Sequence, residues 1–191
     1  SIGHSPTTAL INSSAGSRNS IGEALTNIIW APLKNGLKSV SLSANWMWPC
    51  NNPGEDSRLY EAVEECSKFA IDLGINIPTG KDSLSMKQKY PDYDVLSPGT
   101  VIISAAGQCS NLKNIIKPVA TFKGGDFFYV DFAQDEFYLG GSSFAQSQEC
   151  IGNDIILNTQ INDSLEETIF NWYKDGAILD DENSSTSESP G

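Results

Sequence analysis

Histidine is almost absent from this sequence, and its cysteines are few and scattered. His4 is the only histidine, and the cysteines are Cys50, Cys66, Cys109 and Cys150. A catalytic triad or a zinc site needs a histidine beside a positioned partner, so we expect a structural or bystander role for His4. The cysteines form no C-x-x-C pair, which disfavours structural zinc and a disulfide framework. We therefore expect a reduced, cytoplasmic protein.

Basic residues and long apolar runs are also scarce. Lysine and arginine number 12 against 24 aspartates and glutamates, which gives a net charge of −12. A field of this sign repels a phosphate backbone, so we expect no nucleic-acid partner. The apolar runs are far shorter than the roughly 20 residues that span a bilayer, and no signal-peptide pattern opens the chain, so we expect no membrane partner. A small phosphorylated ligand needs only a local set of donors.

Helical and strand patterns alternate along the chain, which indicates a mixed α/β (α+β) fold. The clearest helix begins at the acidic pair Glu55 and Asp56 and ends at Gly74. Its predicted buried face consists of Leu59, Val63, Cys66, Ala70 and Leu73. An earlier helix is predicted to begin after a cap at Asn19 or Ser20. Its apolar positions are Ile21, Ala24, Leu25, Ile28 and Ile29.

Shorter segments predict strands. Residues 39–44 alternate serine with apolar residues, which is the two-residue period of a half-buried strand. The apolar run 101–106 predicts a strand buried on both faces. A strand over 75–77 is predicted to lead into a turn at Gly80, and a further short strand is predicted over 8–11.

The composition changes near residues 112–125, where Pro118 and two adjacent glycines indicate a domain boundary. We therefore expect a first α/β domain over residues 1–115 and the incomplete start of a second α/β domain over 116–179. Residues 180–191 are acidic and rich in serine. That segment has too little apolar surface to build a core, so a disordered tail is expected there.

Glu23 and Asn27 are four residues apart, so on a helix they project from one face. A carboxylate beside an amide oxygen suits a hard cation such as Mg²⁺, whose other ligands are water or nucleotide phosphate oxygens. The alternative is a solvated polar flank beside the apolar stripe of the helix, because charged residues are mostly exposed. Spacing alone leaves both interpretations open.

A second candidate site follows the predicted strand at 75–77. Gly80 permits backbone conformations that other residues resist. Lys81 adds a positive charge, and Ser83 and Ser85 add hydroxyl donors. The backbone N–H groups of such a turn form an anion-binding nest in many proteins, although the spacing is not that of a Walker loop. An ordinary turn explains the same residues equally well.

Taken together, these and other segments resemble, in order, the large single-chain type of phosphoribosylformylglycinamidine synthase. The matching segments are A-G-S-R at 15–18, G-E-A-L-T-N at 22–27, L-S-A-N-W-M at 42–47, G-E-D at 54–56, I-P-T-G-K-D-S-L-S-M at 77–86, S-P at 97–98, V-I-I-S-A at 101–105 and L-G-G-S-S-F-A-Q at 139–146. The resemblance places the chain in the second half of the synthase region. It implies a domain like the N-terminal domain of aminoimidazole ribonucleotide synthetase, followed by the start of another α/β domain.

The resemblance also implies an ATP-dependent ligase of purine biosynthesis. This family converts formylglycinamide ribonucleotide, glutamine, ATP and water to formylglycinamidine ribonucleotide, ADP, phosphate and glutamate. The resemblance implies Mg²⁺–nucleotide ligands at Glu23 and Asn27, with ATP or ADP and Mg²⁺ as cofactors. It also implies that Gly80 and Ser83, with Lys81 between them, bind a nucleotide or a substrate phosphate. Lys81 stands where related small-subunit enzymes have asparagine, so no metal role is expected there.

Beyond residue 179 the sequence departs from the H-D-x-S-x-G-G segment of the family, and the glutaminase Cys-His-Glu set is missing. We therefore expect a fragment with no catalytic residue and no amidotransferase activity alone. The alternatives are a non-catalytic scaffolding module and a related enzyme such as aminoimidazole ribonucleotide synthetase. Because the two synthase halves of the family pack as a pseudo-dimer, the resemblance implies self-association or packing against the missing half.

Overall fold

The computed structural model describes residues 1–120, 125–126, 128–130, 132 and 142–143. The elements are β1 Ile2–His4, α1 Pro6–Ile11, α2 Ser13–Ile28, β2 Ser41–Met47, α3 Glu55–Asp72, β3 Asn76–Ser83, β4 Lys87–Lys89, β5 Asp94–Leu96 and β6 Thr100–Ala106. One sheet has the strand order β1-β6-β2-β3, and β4 pairs with β5 in a second, two-stranded sheet. In the larger sheet β2 and β3 are parallel, whereas β6 is antiparallel to both of its neighbours.

The segment 8–11 is helical, so the strand predicted there is wrong. Pro6 stands in the first turn of α1, where its fixed φ suits a helix and its missing N–H costs nothing. Ala9 is buried and lies against Gly16 of α2, where an added methyl group would collide with Ala9. The two helices therefore pack backbone to backbone, which a strand at this position would not allow.

The helix α2 begins earlier than its sequence predicted, so the caps proposed at 19–20 are wrong. Asn12 is the true cap, since its side-chain oxygen accepts a hydrogen bond from Ala15 N at 2.8 Å. Ser17 and Ser20 are buried within the helix, and each hydroxyl donates to a carbonyl one turn earlier. A serine hydroxyl that bonds the carbonyl four residues earlier costs a helix only a little stability, so these serines do not delay the start of the helix.

The prediction of α3 is confirmed, but its buried face differs from the predicted one. The helix begins with its acidic first turn, and Gly74 follows its end in the left-handed conformation, with φ of 67°. The buried residues are Ala62, Cys66, Phe69 and Ala70. Val63, predicted to be buried, is 42% exposed. α3 packs on α2, and its buried residues recur at helical spacing on a face that is displaced from the predicted stripe.

The larger sheet has one covered and one uncovered face. The covered face packs on α2 and α3 and carries Leu42, Ala44, Val101, Ile103 and Ala105. The predicted burial of 101–106 on both faces is wrong, because Ser104 and Ala106 are exposed. Within the described ranges no helix packs on the second face, so β6 alternates between buried and exposed residues.

The turn predicted at Gly80 is also wrong, because Gly80 lies in the middle of β3. It pairs with Ala44 of β2, and a Cβ at Gly80 would collide with the carbonyl oxygen of Ala44. Gly80 is not among the described glycines with positive φ. Glycine is required here by the close approach of two strands rather than by an unusual backbone conformation.

These elements make a mixed α/β fold, as predicted, and the strand expected over 39–44 is confirmed as β2. No helix in the described part of the chain combines the length and the apolar character needed to cross a bilayer. The second domain predicted over 116–179 lies mostly outside the described residues, and the tail predicted over 180–191 lies wholly outside them.

Candidate functional site

Glu23 and Asn27 lie beside the outer edge of β1, on the exposed side of α2. The Glu23 carboxylate accepts a hydrogen bond from His4 N, with 2.6 Å between His4 N and Oε2. One helical turn later, Asn27 Nδ2 donates to Ile2 O at 3.2 Å. The two side chains thus share one face of the helix, as their spacing predicted, and both hold the edge strand.

Each of these side chains uses only one polar atom in its contact with β1. The second carboxylate oxygen of Glu23 and the amide oxygen of Asn27 are hard ligands of the kind that Mg²⁺ takes, with water and phosphate as the usual remainder. Among the described residues, no group of three or more His, Cys, Asp and Glu side chains is placed to hold a metal. The pair therefore fits a cation shared with a phosphate ligand better than an all-protein cage.

Gly80, Lys81 and Ser83 lie on β3, which is the opposite edge strand. Lys81 Nζ donates to Asp82 O at 2.7 Å and to Ser83 Oγ at 3.0 Å, so the exposed ammonium group is held along the strand. An open groove of about 510 Å³ beside β3 is lined by Ala44, Trp46 and residues 77–82. The groove includes Gly80 and Lys81, but Ser83 lies outside its lining. The predicted anion nest is absent, because this segment is an extended strand.

The two candidate sets lie at opposite edges of the sheet. β6 and β2 lie between β1 and β3, so three inter-strand steps separate the edges. At about 4.8 Å for each step, the separation is roughly 14 Å. The structure therefore keeps the two candidate sets apart, one at each edge of the sheet.

A third cluster, around Trp48, was not found from the sequence. Trp48 is fully buried just after β2, and the Arg58 guanidinium carbon lies 5.9 Å from the centroid of its ring. Arg58 Nη1 is 2.7 Å from Glu55 Oε1, and Nη2 donates to Ala9 O and Leu10 O at the end of α1. Trp48 Nε1 and Glu55 Oε2 are buried with no hydrogen-bond partner in the described part of the chain. In the sequence, the three-residue spacing of Glu55 and Arg58 indicates an ion pair on a helix, but it does not reveal the contact of Arg58 with α1.

Cys50 and Cys66 are not activated nucleophiles. Cys50, Cys66 and Cys109 are all free. Burial raises the pKa of the Cys66 thiol to about 12. Desolvation also raises the pKa of Cys50, and the charges of Asp56 and Glu55 add to this effect. A raised pKa leaves little thiolate near neutral pH, so Cys50 and Cys66 lack the property that nucleophilic cysteines need.

A known family model matches the residues that form the whole of this sheet and its helices. The model of the FGAR-AT PurM_N-like domain matches residues 1–108, which is more than half of the chain. The matched range contains both candidate sites. It also contains the ordered motifs of residues 15–105 that carried the sequence resemblance.

Curated relatives extend the similarity along the chain. It is 36% identical over 157 residues to the probable phosphoribosylformylglycinamidine synthase of Caenorhabditis elegans, over 81% of this chain and 12% of the relative. It is 39% identical over 155 residues to the probable phosphoribosylformylglycinamidine synthase, chloroplastic/mitochondrial, of Arabidopsis thaliana, over 80% of this chain and 11% of the relative. The chain thus spans about one-eighth of the length of these relatives or less.

A solved structure described as "T. maritima PurL complexed with ATP" is also similar, with a TM-score of 0.47 and 17% identity over 62% of this chain and 19% of that chain. The relatives and the family model agree on one assignment, and the family model alone covers more than half of the residues. The chain therefore belongs to the FGAR-AT PurM_N-like domain family, the family that its ordered motifs predicted.

Proposed function

We propose that this domain binds a Mg²⁺–nucleotide, ATP or ADP, at Glu23 and Asn27 within a longer phosphoribosylformylglycinamidine synthase. The longer protein would convert formylglycinamide ribonucleotide, glutamine and ATP to formylglycinamidine ribonucleotide in de novo purine biosynthesis, in the cytoplasm. The present chain would contribute binding and no amidotransferase turnover of its own. The names of the relatives supply the enzymatic context of this proposal.

The observation that carries the proposal is the exposed, side-by-side placement of the Glu23 and Asn27 oxygens beside β1. The charge at the site supports a bridging cation. The carboxylate of Glu23 repels a nucleotide polyphosphate unless a cation lies between them. Mg²⁺ is suited to this role because it binds one or two protein oxygens together with phosphate oxygens.

Calorimetry with ADP and Mg²⁺ tests this site. We expect the wild-type chain to release heat that chelation of Mg²⁺ abolishes, and Glu23→Gln to bind at least 10-fold more weakly. Glu64→Gln is the matched control, because Glu64 is an exposed carboxylate of α3. Equal affinities of the two variants would reject Glu23 as a ligand. No heat from the wild type would reject nucleotide binding and favour the scaffolding function.

We also propose that Gly80, Lys81 and Ser83 bind a nucleotide or substrate phosphate. The 3.0 Å contact between Lys81 Nζ and Ser83 Oγ supports this proposal, since it brings a charged donor and a hydroxyl to one place. Gly80 adds no side chain to the adjoining groove. A phosphate at this site would interact with the ammonium group and the hydroxyl together.

Titration with formylglycinamide ribonucleotide, followed by NMR, tests the β3 site. Lys81→Gln should weaken binding about 10-fold, because it removes the only charge in the proposed set. Lys89→Gln is the control, since Lys89 is exposed on β4 and outside the groove. A ligand that shifts the resonances of β3 equally in both variants would show that Lys81 does not bind phosphate.

A scaffolding function is favoured by the uncovered face of the sheet. The strand registers place His4, Ile102, Asn45 and Lys81 in one row across this face. Asn45 Oδ1 is buried with no hydrogen-bond partner in the described ranges. We propose that a second copy, or the missing synthase half, covers this face.

Analytical ultracentrifugation tests this surface. It should show concentration-dependent self-association that Ile102→Asp removes and that Ile71→Asp, at an exposed position of α3, does not remove. A wild type that stays monomeric at high concentration would count against this surface.

A further inference from the structure

The backbone of β1 has two chemically different edges. Ser1 N donates to Ala105 O, and Ala105 N donates to Ser1 O, both at 2.9 Å. In an antiparallel pair such hydrogen-bonded positions alternate with positions whose N–H and C=O point away from the partner strand. The polar groups of Ile2 and His4 therefore face the outer edge, and the side chains that meet them there are Asn27 and Glu23.

We propose that β1 is a positioning element for the Mg²⁺–nucleotide ligands, and that its outward backbone groups fix which oxygens of Glu23 and Asn27 face the ligand. This inference rests on the proposed function and assigns a role to backbone atoms of Ile2 and His4. Metal ligands are commonly held by such second contacts, and their removal typically weakens metal binding 10- to 100-fold.

The chemistry of the contacts determines the orientation of Asn27. Ile2 O can only accept a hydrogen bond, so the amide nitrogen of Asn27 must face it and the amide oxygen must face away. His4 N–H can only donate, so it binds one carboxylate oxygen of Glu23 and leaves the other oxygen available to a ligand. Both free atoms are then oxygens, which is the donor set that Mg²⁺ requires.

Gly3 explains how the short side chain of Asn27 reaches a strand. A Cβ at Gly3 would collide with Ser20 O and with the backbone of Ala24 on α2. The backbones of β1 and α2 therefore touch at Gly3, and this contact brings the outer edge of β1 within hydrogen-bonding distance of the exposed face of the helix. The arrangement also gives hydrogen-bond partners to two backbone groups of an edge strand, His4 N–H and Ile2 C=O, which would otherwise be unpaired.

The test compares two substitutions at one position. His4→Pro removes the N–H that holds Glu23, and proline is tolerated where the N–H of an edge strand does not pair within the sheet. His4→Ala removes the exposed imidazole and keeps the N–H. We expect His4→Pro to weaken binding of Mg²⁺–ADP 10- to 100-fold at a temperature where both variants are folded, and His4→Ala to bind as the wild type does.

Two outcomes separate this inference from the proposed function. If the wild type binds Mg²⁺–ADP and both His4 variants bind equally well, the positioning role of β1 is rejected while the site stands. If the wild type does not bind, the site itself is rejected, and this inference falls with it.

A measurement on the wild type covers the case in which His4→Pro does not fold. The His4 amide should be protected from hydrogen exchange, and it should stay protected when Mg²⁺–ADP is added, because the ligand takes the other oxygen of Glu23. The amide resonance should shift on addition. Loss of protection on addition would mean that the ligand and β1 compete for Glu23, which would overturn the proposal.

Discussion

Arg58 lies over the buried ring of Trp48, with 5.9 Å between its guanidinium carbon and the ring centroid. The same guanidinium is paired with Glu55 and donates to Ala9 O and Leu10 O, the carbonyl end of α1. The last carbonyls of a helix lack partners within the helix, so Arg58 satisfies α1 from a different element. One planar, delocalised charge thus joins α1, α3 and the end of β2.

Replacement of Arg58 should destabilise the fold. Arg58→Ala removes charge-assisted hydrogen bonds and a cation–π contact, so we expect the free energy of unfolding to fall by about 2–3 kcal/mol. Arg58→Lys keeps the charge but not the planar fork and should lose about half as much. Urea denaturation measures the loss in both variants, and Lys68→Ala, at an exposed position of α3, is the control. If Arg58→Ala and Lys68→Ala unfold at the same urea concentration, the cluster has no stabilising role.

Gly80→Ala should separate the parallel strands β2 and β3. The new methyl group would meet the carbonyl oxygen of Ala44, which belongs to backbone and cannot rotate away. We expect a cost of about 1–3 kcal/mol in the free energy of unfolding, measured by thermal and urea unfolding. Thr79→Ala, at the neighbouring exposed position, should change it by only about 0.5 kcal/mol. A Gly80→Ala protein as stable as the Thr79→Ala protein would contradict the close approach.

The stability of the chain should fall at high pH partly because of Cys66. Burial raises the pKa of this thiol from 9.0 to about 12. Between these values the unfolded chain loses the proton while the folded chain keeps it, so the unfolded state binds fewer protons and stability decreases as pH rises. Relative to Cys66→Ala, the wild type should lose up to about 1.4 kcal/mol per pH unit above pH 9. Urea unfolding at pH 8 and pH 10.5 gives this difference, and parallel losses in the two proteins would refute the assignment.

Asn27→Asp should loosen β1 although it adds a charge at the proposed metal site. The substitution replaces the Nδ2 donor with an oxygen that faces Ile2 O, so two acceptors meet. Because the contact is exposed, we expect a loss of only about 0.5–1.5 kcal/mol in the free energy of unfolding. Asn76→Asp, at an exposed end of β3, is the control. Faster hydrogen exchange at Gly3 in Asn27→Asp alone would locate the effect in β1, and unchanged exchange would argue against the contact.

The sequence predicted elements well where local signals agreed. The helix α3 has acidic residues at its start and Gly74 after its end, and both signals act within one turn of the chain. The predicted start of helix α2 is wrong because serine is typical of a cap, whereas Ser17 and Ser20 both lie inside the helix. Their hydroxyls are satisfied inside the helix, and that property depends on burial.

The candidate residues divide in the same way. The spacing of Glu23 and Asn27 determines that they share a helix face, because helical periodicity is local. Their contacts with Ile2 and His4 bridge 25 and 19 residues of sequence, so only the tertiary structure decides them.

His4 shows most clearly what residue identity does not reveal. Only its imidazole distinguishes it in the sequence, whereas the group that contacts Glu23 is its backbone N–H, which every residue except proline carries. The sequence by itself determined the family, the mixed α/β class and the pairing of Glu23 with Asn27, since each of these depends on residue identity and short spacing. The tertiary structure alone decided that β1 lies beside that pair and that Gly80 lies within a strand, because both depend on which backbones approach each other.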